Sequence, residues 1–451
     1  MVKKFWIAIL ACALMSVSFV GCAPRVNNVN PGTDYEVNLD IDYQVSAELR
    51  VGLNSVVGAE TDYIEALAAE FNKLYRNVKI TVQPMISGSY DNALQNAHQT
   101  GNMPDIFFTT SSMFPGQVEK GLTLNLSPYI SAETEKNSEW EKQFVESGWK
   151  LGQKDMDGDQ MMVPRSTDRI VTHYNKKIFM DAGVDMSTVK NGWTWEDFLA
   201  ACAKIRTYFN KTNRQDQYFL QASLGWEALF SPMLASYGGK VFNEDKSIAF
   251  DSPEVREMLE DMKYLVDERY MAPLNQAGAD FFTGTGGAMF FHSSPANLIK
   301  ANVGEDYDIV TFPLIGDDPH IGAGAAGYSI YAGSKNRDIA WKFLSFMISK
   351  KGQNALARAG LTLAPLRVDM QDPNLNDWGK GNENINMAAY TWRPELNYAT
   401  SWQLPFPSGM HQDLLDTMEN MVFNYLRDPD GLTLDGTISH AKTEVQAIIS
   451  R

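Results

Sequence analysis

Cysteine is scarce in this 451-residue sequence, which contains only Cys12, Cys22 and Cys202. No two of them form a Cys-x-x-Cys pair, so neither a disulfide framework nor a cysteine-based zinc site is indicated. A bond between Cys22 and Cys202 is conceivable from the sequence alone. We expect an apolar core to hold the fold together, and we expect no metal ion and no cofactor.

Basic residues are also fewer than acidic residues. The chain has 39 Lys and Arg residues against 55 Asp and Glu residues, which gives a formal net charge of −16. Such a balance repels phosphate backbones, so nucleic acid is not an expected partner. P-loop, His-Glu-x-x-His and nucleophile-elbow motifs are absent, and with them the commonest catalytic signatures.

A long apolar run occurs once, at the start of the chain. Lys3 and Lys4 precede a run from Phe5 to Val20, and a small residue, Gly21, comes just before Cys22. This order is typical of a secretory signal, and the run is short for a spanning helix, which needs about 20 apolar residues. An uncleaved N-terminal anchor is the alternative interpretation.

The segment Phe19-Val20-Gly21-Cys22 resembles a bacterial lipobox, although such boxes favour Leu where this chain has Phe19. The resemblance implies that residues 1–21 are removed and that the thiol of Cys22 is lipidated. Two or three acyl chains would attach the protein stably to the outer side of the cell membrane. Residues 22–45 are polar and contain Pro and Asn, so we expect them to form a flexible tether.

Strand and helix patterns alternate in the rest of the chain. The run AELRVGL (Ala47–Leu53) alternates apolar and polar residues, and strand patterns follow from Val78 and over DIFFTT, with helical periodicity between them. This rhythm indicates an α/β domain with a largely parallel sheet. A more helical section, a second α/β section and terminal helices follow. The order suggests two lobes, each built from discontinuous segments.

Four segments carry a resemblance to a known family. They are TGNMPDIFFTTSSMFPGQVEKGLTLNLSPYI, DMDGDQMMVPRSTDRIVTHYNKKIFMDAGV, NGWTWEDFLAACAKI and AWKFLSFMISKKGQNALARAG. In order and spacing they resemble the extracellular solute-binding proteins of sugar-importing ABC transporters, the maltose-binding-protein type. The match covers nearly all of residues 46–366. One departure is AMFFHSSPAN, where Ser293 and Pro295 stand at a place that often carries a Trp in the family.

The resemblance implies an α/β fold with two lobes, of the class II periplasmic-binding-protein type. It places residues 46–163 and 325–362 in the first lobe, and residues 164–324 and 363–451 in the second. The chain would cross between the lobes at three hinge segments, and the lobes would close over a ligand in the cleft. We expect crossings near Met162–Pro164, Gly322–Tyr328 and Leu363–Pro365.

The function implied is that of a monomeric binding protein that is not an enzyme. It would capture a carbohydrate, which we expect to be an oligosaccharide, and deliver it to the permease subunits of an ABC importer. Two alternatives remain open at this point: a polyamine or peptide ligand in the same role, and a surface glycoside-active lipoprotein. Several carboxylates in the cleft would favour a cationic ligand, but the sequence alone assembles no such cluster.

A sugar cleft needs hydrogen-bonding side chains beside aromatic rings. Thr109, Thr110 and Ser111 follow a strand, at the end where open α/β sheets bind ligands, although they could instead cap the next helix. Arg165 and Asp168 follow the first crossing, with a surface ion pair as the alternative.

Further candidates come from the second lobe and from the crossings. Trp226, with core packing as the alternative, and Glu227 begin a helix, and Phe291 is a replacement for the missing aromatic platform. The remaining ligand-binding candidates are Tyr174, Gly327, Tyr328, Trp392 and Trp402.

The sequence DMDGD at residues 155–159 places three aspartates at the first, third and fifth positions of an EF-hand loop. The sixth position holds Gln160 instead of Gly, and the twelfth holds Ser166 instead of Glu. We therefore interpret this stretch as a solvated turn.

Overall fold

A computed structural model describes residues 32–54, 58–86, 89–154, 158–281, 287–361, 363–398, 404, 406, 408–427 and 430–451. Five of the predictions fall wholly or partly on residues outside these ranges. They are the secretory signal over residues 1–21, the lipidation of Cys22, the first part of the tether over residues 22–45, the ligand-binding role of Trp402 and the turn formed by Asp155 and Asp157.

The described part of the chain forms an α/β fold. Its strands are β1 (Ala47–Leu53), β2 (Val78–Pro84), β3 (Ile106–Thr110), β4 (Val163–Pro164), β5 (Ser166–Arg169), β6 (Val171–Asn175), β7 (Leu220–Gln221), β8 (Met289–His292), β9 (Tyr307–Thr311), β10 (Ile321–Gly324), β11 (Ala326–Ile330), β12 (Ala364–Pro365) and β13 (Asn397–Tyr398). Its helices are α1 (Ala59–Phe71), α2 (Tyr90–Gln99), α3 (Phe114–Glu119), α4 (Ser127–Lys136), α5 (Glu146–Trp149), α6 (Lys176–Asp181), α7 (Trp195–Lys211), α8 (Glu227–Ser236), α9 (Pro253–Asp267), α10 (Ala296–Val303), α11 (Arg337–Met347), α12 (Lys350–Arg358), α13 (His411–Leu426) and α14 (Leu434–Ile449).

The first sheet has the strand order β2-β1-β3-β11-β4. Strand β1 runs parallel to both β2 and β3, as the alternation of strands and helices predicts, whereas β11 runs antiparallel to β3 and β4. The late strand β11 thus completes a sheet whose other members come from the first part of the chain. The carboxyl end of β3 therefore lies beside the start of β11.

Two further sheets lie beyond the first. The order β7-β8-β6-β9 forms one, and the order β12-β5-β10-β13 forms a sheet of short strands. The chain passes from the first sheet to the sheet of short strands at Arg165, between β4 and β5, and returns at Ala325, between β10 and β11. The Arg165 amide donates a hydrogen bond to the Ala326 carbonyl over 2.9 Å, so the two crossings lie side by side.

Buried apolar residues form separate clusters on the two sides of these crossings. The first large cluster takes its fully buried members from residues 39–163 and 326–366, and the second takes them from residues 170–321 and 396–448. A division into two cores is what a protein with two lobes requires. The lobe boundaries stay a prediction, and Leu366, which they place in the second lobe, belongs to the first core.

Helix-start signals in the sequence correspond to the observed helices. Thr194 and Asp197 form a reciprocal capping box at the start of α7, and the flanking Trp193 and Trp195 are buried in the second core. Ser252 caps α9, whose first residue is Pro253. These are local interactions between near neighbours in sequence, which is why the pattern alone predicts them.

The N-terminal segment is more ordered than a flexible tether would be. The guanidinium of Arg337 lies 4.8 Å from the centre of the Tyr35 ring, and the backbone amide of Asn38 donates to Asp338 over 3.2 Å. Leu39 is buried in the first core. The tether that we predicted over residues 22–45 therefore ends before Tyr35, because apolar side chains beyond that point pack on the folded domain.

Candidate functional site

A cavity of ≈ 250 Å³ lies beside the two crossings. Its walls come from the carboxyl end of β3, from β5 and β10, and from the start of α8. The lining residues are Thr110, Ser111, Ser112, Asp168, Ile170, Trp226, Glu227, Ala228, Ser293, Ala323, Gly324 and Ala325. Segments from both cores thus enclose one space, which is the place where a protein with two lobes binds its ligand.

Hydroxyl groups dominate the wall that belongs to the first sheet. The Thr110 hydroxyl lies 3.0 Å from the Ser112 hydroxyl, and the Ser111 hydroxyl accepts a hydrogen bond from the Ala325 amide over 3.2 Å. The Ser111 amide donates to the Ala325 carbonyl over 2.9 Å. The loop after β3 is therefore fastened to the second crossing, and its hydroxyls border the cavity.

An aromatic side chain lies where the start of α8 borders the cavity. Trp226 occupies the N-cap position of α8, and its ring stacks on the His292 imidazole with centroids 5.3 Å apart and planes 26° apart. His292 in turn stacks on Phe290 at 4.8 Å. His292 can cover only one of the two faces of the Trp226 ring. The stack holds an indole ring at the edge of the cavity.

Helix α8 reaches this position because it packs closely on β10. A Cβ atom on Gly322 would lie only 1.8 Å from the Ala228 carbonyl oxygen, so glycine is needed where the two backbones meet. The same close approach brings Glu227 and Trp226 to the cavity. A larger residue at position 322 would displace both of them.

Two carboxylates face the cavity, and burial raises the pKa of each. Burial is the main cause for Asp168, partly offset by the Arg165 charge and by a 3.1 Å hydrogen bond from the Ser166 hydroxyl. Burial is also the main cause for Glu227; hydrogen bonds from its own amide and from the Trp226 side chain lower its pKa in part, and the nearby carboxylates of Glu419 and Asp416 raise it. The cavity wall therefore carries acidic groups that are poorly solvated without a ligand.

Behind Asp168 lies a buried charge network at the first crossing. The Arg165 guanidinium binds Glu60 of α1 through two contacts, Nε to Oε1 at 3.1 Å and Nη2 to Oε2 at 3.0 Å. Its Nη1 donates to the Ser166 hydroxyl over 2.8 Å, and the Tyr328 hydroxyl donates to Glu60. The network joins α1 and β11 to the strand that carries Asp168.

The sequence of residues 58–354 matches the profile of the bacterial extracellular solute-binding protein family. This match spans well over half of the chain and includes both walls of the cavity. The chain belongs to that family. Its members are defined by solute binding and not by catalysis, and they act outside the cytoplasm.

Individual relatives agree with this assignment. This solute-binding protein is 25% identical over 400 residues to an uncharacterized ABC transporter extracellular-binding protein of Pyrococcus horikoshii, covering 83% of each chain. It is 25% identical over 314 residues to the diacetylchitobiose binding protein DasA of Streptomyces coelicolor, covering 66% of this chain and 68% of DasA.

A solved structure establishes the fold independently. An ABC substrate-binding protein of Listeria monocytogenes, solved in complex with cycloalternan, superposes with a TM-score of 0.69 at 20% identity. The alignment covers 90% of this chain and all of the other, at 100%. The prediction of a mixed α/β fold with two lobes is confirmed.

Five of the predicted ligand-binding residues line the cavity of this solute-binding protein. They are Thr110, Ser111, Asp168, Trp226 and Glu227. The structure thus brings together residues that lie more than a hundred positions apart in sequence. Their roles in binding stay predictions, because the cavity shows their position and not their ligand.

Several other candidates lie in the protein interior, away from the cavity lining. Thr109 is fully buried, and its hydroxyl donates to Gln117 over 2.7 Å. Tyr174 donates to Asp308 over 3.3 Å within the second lobe. Phe291 is only 1% exposed and packs on Phe198 and Phe312. Their side chains have structural partners that account for their positions.

The candidates at the crossings are structural as well. Arg165 is 6% exposed and pairs with Glu60, so the alternative of a surface ion pair with Asp168 is wrong. Tyr328 is fully buried in the first core. A Cβ on Gly327 would lie 2.2 Å from the Val163 carbonyl oxygen, which shows that this glycine serves the packing of β11 on β4.

Trp392 lies on the second core and does not border the cavity. Its ring carbons would be 2.8 Å from a Cβ on Gly192, and its carbonyl accepts a hydrogen bond from the Arg169 guanidinium. No pattern in the sequence separates this tryptophan from Trp226. Both stand in loop-rich stretches, and only the packing of α8 on β10 distinguishes them.

Sequence reasoning missed several mainly small residues of the cavity wall as ligand-binding candidates. These are Ser112, Ile170, Ala228, Ser293, Ala323 and Ala325. Ser293 had a signal, because it marks the departure from the family pattern. The remaining positions contribute mainly backbone and small apolar groups, which have no recognisable pattern in one sequence.

Within the described residues, no group of three or more His, Cys, Asp or Glu side chains could hold a metal ion. No helix in the same ranges is long and apolar enough to cross a bilayer. The free thiol of Cys202 is buried in the second core, and burial raises its pKa.

Replacing Glu227 by glutamine is expected to stabilise the unliganded protein at neutral pH. The raised pKa means that the folded chain holds the Glu227 proton more tightly than the unfolded chain does. The ionised carboxylate therefore lowers the free energy of unfolding as the pH rises through the pKa that Glu227 has in the folded state. Removing the charge should add about 1 kcal/mol to the free energy of unfolding. Urea unfolding of both proteins measures the difference.

The stability gained by Glu227→Gln should disappear at acid pH, below the ordinary pKa of a glutamate, because the Glu227 carboxyl is then protonated in both the folded and the unfolded chain. A gain of the same size at acid and neutral pH would contradict the charge explanation. It would point to a change in packing instead.

Proposed function

We propose that this protein is the binding component of an ABC importer and that it captures a carbohydrate between its two lobes. The observation that carries the proposal is the cavity at the crossings, which Trp226 lines together with hydroxyl and carboxylate groups. The relative DasA is named for binding diacetylchitobiose, and the Listeria protein was solved with cycloalternan. Both names support a saccharide ligand.

The chemistry of the cavity suits a sugar. A pyranose offers an apolar C–H face, which packs on an aromatic ring such as Trp226, and a rim of hydroxyl groups. Carboxylates such as Asp168 and Glu227 accept hydrogen bonds from those hydroxyls, and charged acceptors make the stronger bonds. Excluding water on closure strengthens each of these bonds.

Lobe closure is the proposed signal to the permease. The chain changes sheet within single residues at Arg165 and Ala325, and short connections of this kind can absorb a hinge rotation. Because the cavity wall combines segments from both sides of the crossings, a ligand that contacts both walls favours the closed form. The importer would then distinguish loaded from empty protein by shape, with one copy of the chain sufficient for binding.

A thermal-shift screen against neutral mono- and oligosaccharides tests the proposal. At a ligand concentration about 100 times the Kd, binding adds about 2.7 kcal/mol to the stability of the folded state. For a chain with domains of this size, we expect the midpoint to rise by several degrees with at least one saccharide. Chromatography of the ligand after incubation should recover it intact, whereas a glycoside-active protein would return shorter products.

A flat response to every saccharide would contradict the proposed ligand class. A rise in the thermal midpoint with a peptide, and with no saccharide, would indicate a peptide ligand instead. Loss of the intact sugar during incubation would instead indicate an enzyme.

Attachment to the membrane is a further part of the proposal, and it depends on the sequence of residues 1–22. We propose that Cys22 is acylated and becomes the first residue of the mature chain. Replacing Cys22 by serine should move the protein from the membrane fraction to the soluble extracytoplasmic fraction. Metabolic labelling with an alkyne analogue of palmitate should label the protein that retains Cys22 and leave the serine variant unlabelled.

Cys202 provides the matched control, because its thiol is buried in the second core. Its replacement by serine should leave the labelling unchanged. Label retained after replacement of Cys22 would contradict acylation at that residue.

A further inference from the structure

The two lobes also meet at a point that is not one of the chain crossings. The backbone amide of Gly409 donates a hydrogen bond to the Glu119 carboxylate over 2.8 Å, and both residues are exposed. The partners are 290 positions apart in the sequence. The turn Ser408–Met410, which contains Gly409, lies against α3, which ends at Glu119. Two elements of the fold therefore form this contact, and the hydrogen bond joins them.

Helix α3 attaches this contact to the first sheet. The helix begins at Phe114, two residues after Ser112, which lines the cavity. The Thr109 hydroxyl of β3 donates a hydrogen bond to the Gln117 side chain of α3 over 2.7 Å, and both residues are fully buried. These connections fix α3 to the sheet, so Glu119 moves together with the cavity wall that carries the hydroxyl groups.

Helix α13 attaches the same contact to the second core. The helix begins at His411, directly after the turn that contains Gly409, and its buried side chains belong to that core. A Cβ atom on Gly225 would lie 3.0 Å from the Glu419 Cα atom and 3.1 Å from the Glu419 carbonyl oxygen. Helix α13 thus packs backbone to backbone on the residue that precedes Trp226. Gly409 therefore moves together with the part of the cavity wall that carries the indole ring.

The bond between Gly409 and Glu119 consequently depends on the arrangement of the two lobes. A rotation that moves α3 and α13 apart at this point breaks the bond, because each helix is fixed to its own core. An interaction that exists in only one of two forms shifts the equilibrium towards that form. The two partners are exposed, so water replaces the bond when it breaks, and its net effect is smaller than that of a buried bond.

We infer that Glu119 is a positioning residue that retains the ligand by fastening the closed form of the protein. Glu119 does not line the cavity, so it acts through the position of α13 and not through contact with the ligand. This inference rests on the proposed function and adds a residue that sets how long the ligand stays bound. Because the bond lies between two parts of the protein, we expect it to act equally on different ligands.

Stopped-flow measurement of dissociation rates tests the inference, with two saccharides that raise the thermal midpoint. In Glu119→Ala, we expect each saccharide to dissociate about threefold faster, with a Kd that is larger by the same factor. The association rate should change little, because the bond forms only when the lobes close. Glu119→Gln keeps a neutral oxygen that can accept the bond, so its effect should be smaller than that of Glu119→Ala.

Glu139→Ala is the matched control, because Glu139 is an exposed glutamate that pairs with Lys142, three positions further along the chain. The control should keep the dissociation rate of the unmodified protein. Hydrogen exchange of the Gly409 amide provides an independent readout. A saturating saccharide should slow this exchange in the unmodified protein, and it should do so less in Glu119→Ala, which lacks the acceptor.

The outcomes separate this inference from the proposed function. If both saccharides leave Glu119→Ala at the rate of the unmodified protein, even with a lower thermal midpoint, the fastening role is wrong and saccharide capture stands. An effect on one saccharide and not on the other would indicate contact with the ligand and would also overturn it.

If a peptide binds and no saccharide does, the proposed ligand class is wrong, and the same comparison of rates with that peptide decides the role of Glu119. If neither binds, the proposed function is wrong. Equal exchange of the Gly409 amide in Glu119→Ala and in the unmodified protein would then overturn the fastening role as well.

Discussion

Replacement of Trp226 by alanine is expected to weaken saccharide binding by about 2 kcal/mol, or roughly thirtyfold in Kd. The indole borders the cavity and is held by the His292 ring, so its removal takes away the one aromatic surface on the cavity wall among the described residues. Calorimetry with the saccharide that gives the largest thermal shift measures the change. The residue is half-buried, so a modest loss of stability is also expected.

Trp392 supplies the matched control. It is another half-buried tryptophan of the second lobe, it packs on the same core, and it does not line the cavity. Replacing Trp392 by alanine should reduce stability without a comparable change in Kd. Equal losses of affinity in the two variants would contradict a direct contact between Trp226 and the saccharide.

Replacement of Arg165 by methionine is expected to destabilise the protein strongly. The guanidinium is buried between Glu60 and Ser166, and its loss would leave the Glu60 carboxylate without its cation. Breaking a buried ion pair from one side typically costs about 3–5 kcal/mol, because the remaining charge stays in a poorly solvated place. Urea unfolding of the unliganded protein measures the loss.

Arg256 offers the comparison, because its ion pairs with Asp251 and Asp435 are near the surface. Its replacement by methionine should cost less than about 1 kcal/mol. The double variant Glu60→Gln with Arg165→Met should recover a large part of the loss, since it removes the stranded charge. A double variant as unstable as Arg165→Met alone would contradict the charge explanation.

The position of this network connects stability with binding. Arg165 is the residue at which the chain changes sheet, and Asp168 lies three positions further on, at the cavity. Substitutions at Arg165 should therefore act on both the proposed hinge and the carboxylate that lines the cavity. The interior role of Arg165 makes it a positioning residue, in contrast to the direct contact that the sequence led us to expect.

Local patterns made much of the fold predictable. The strand Ala47–Leu53 and the capped starts of α7 and α9 are fixed by alternation and by side-chain caps within a few residues of each other. Four spaced segments were sufficient to indicate the family. The secretory signal over residues 1–21 stays a prediction, because it lies outside the described residues.

The site was predictable only in part, and β3 shows the reason. Thr109 and Thr110 are adjacent and chemically identical, but successive side chains of a strand point to opposite faces. Thr109 turns inward to Gln117, and Thr110 borders the cavity. Which face becomes the cleft depends on β11, which pairs with β3 from more than two hundred positions away.

The amino-acid sequence by itself determined the family, the alternation of strands and helices and the general location of the ligand-binding segments, because each of these follows from neighbours along the chain. Tertiary structure alone decided that Asp168 lines the cavity while Arg165 is paired with Glu60, and that Trp226 reaches the cavity while Phe291 fills the core. These outcomes depend on partners from distant segments. Burial and charge pairing are properties of that three-dimensional neighbourhood, and no linear pattern encodes them.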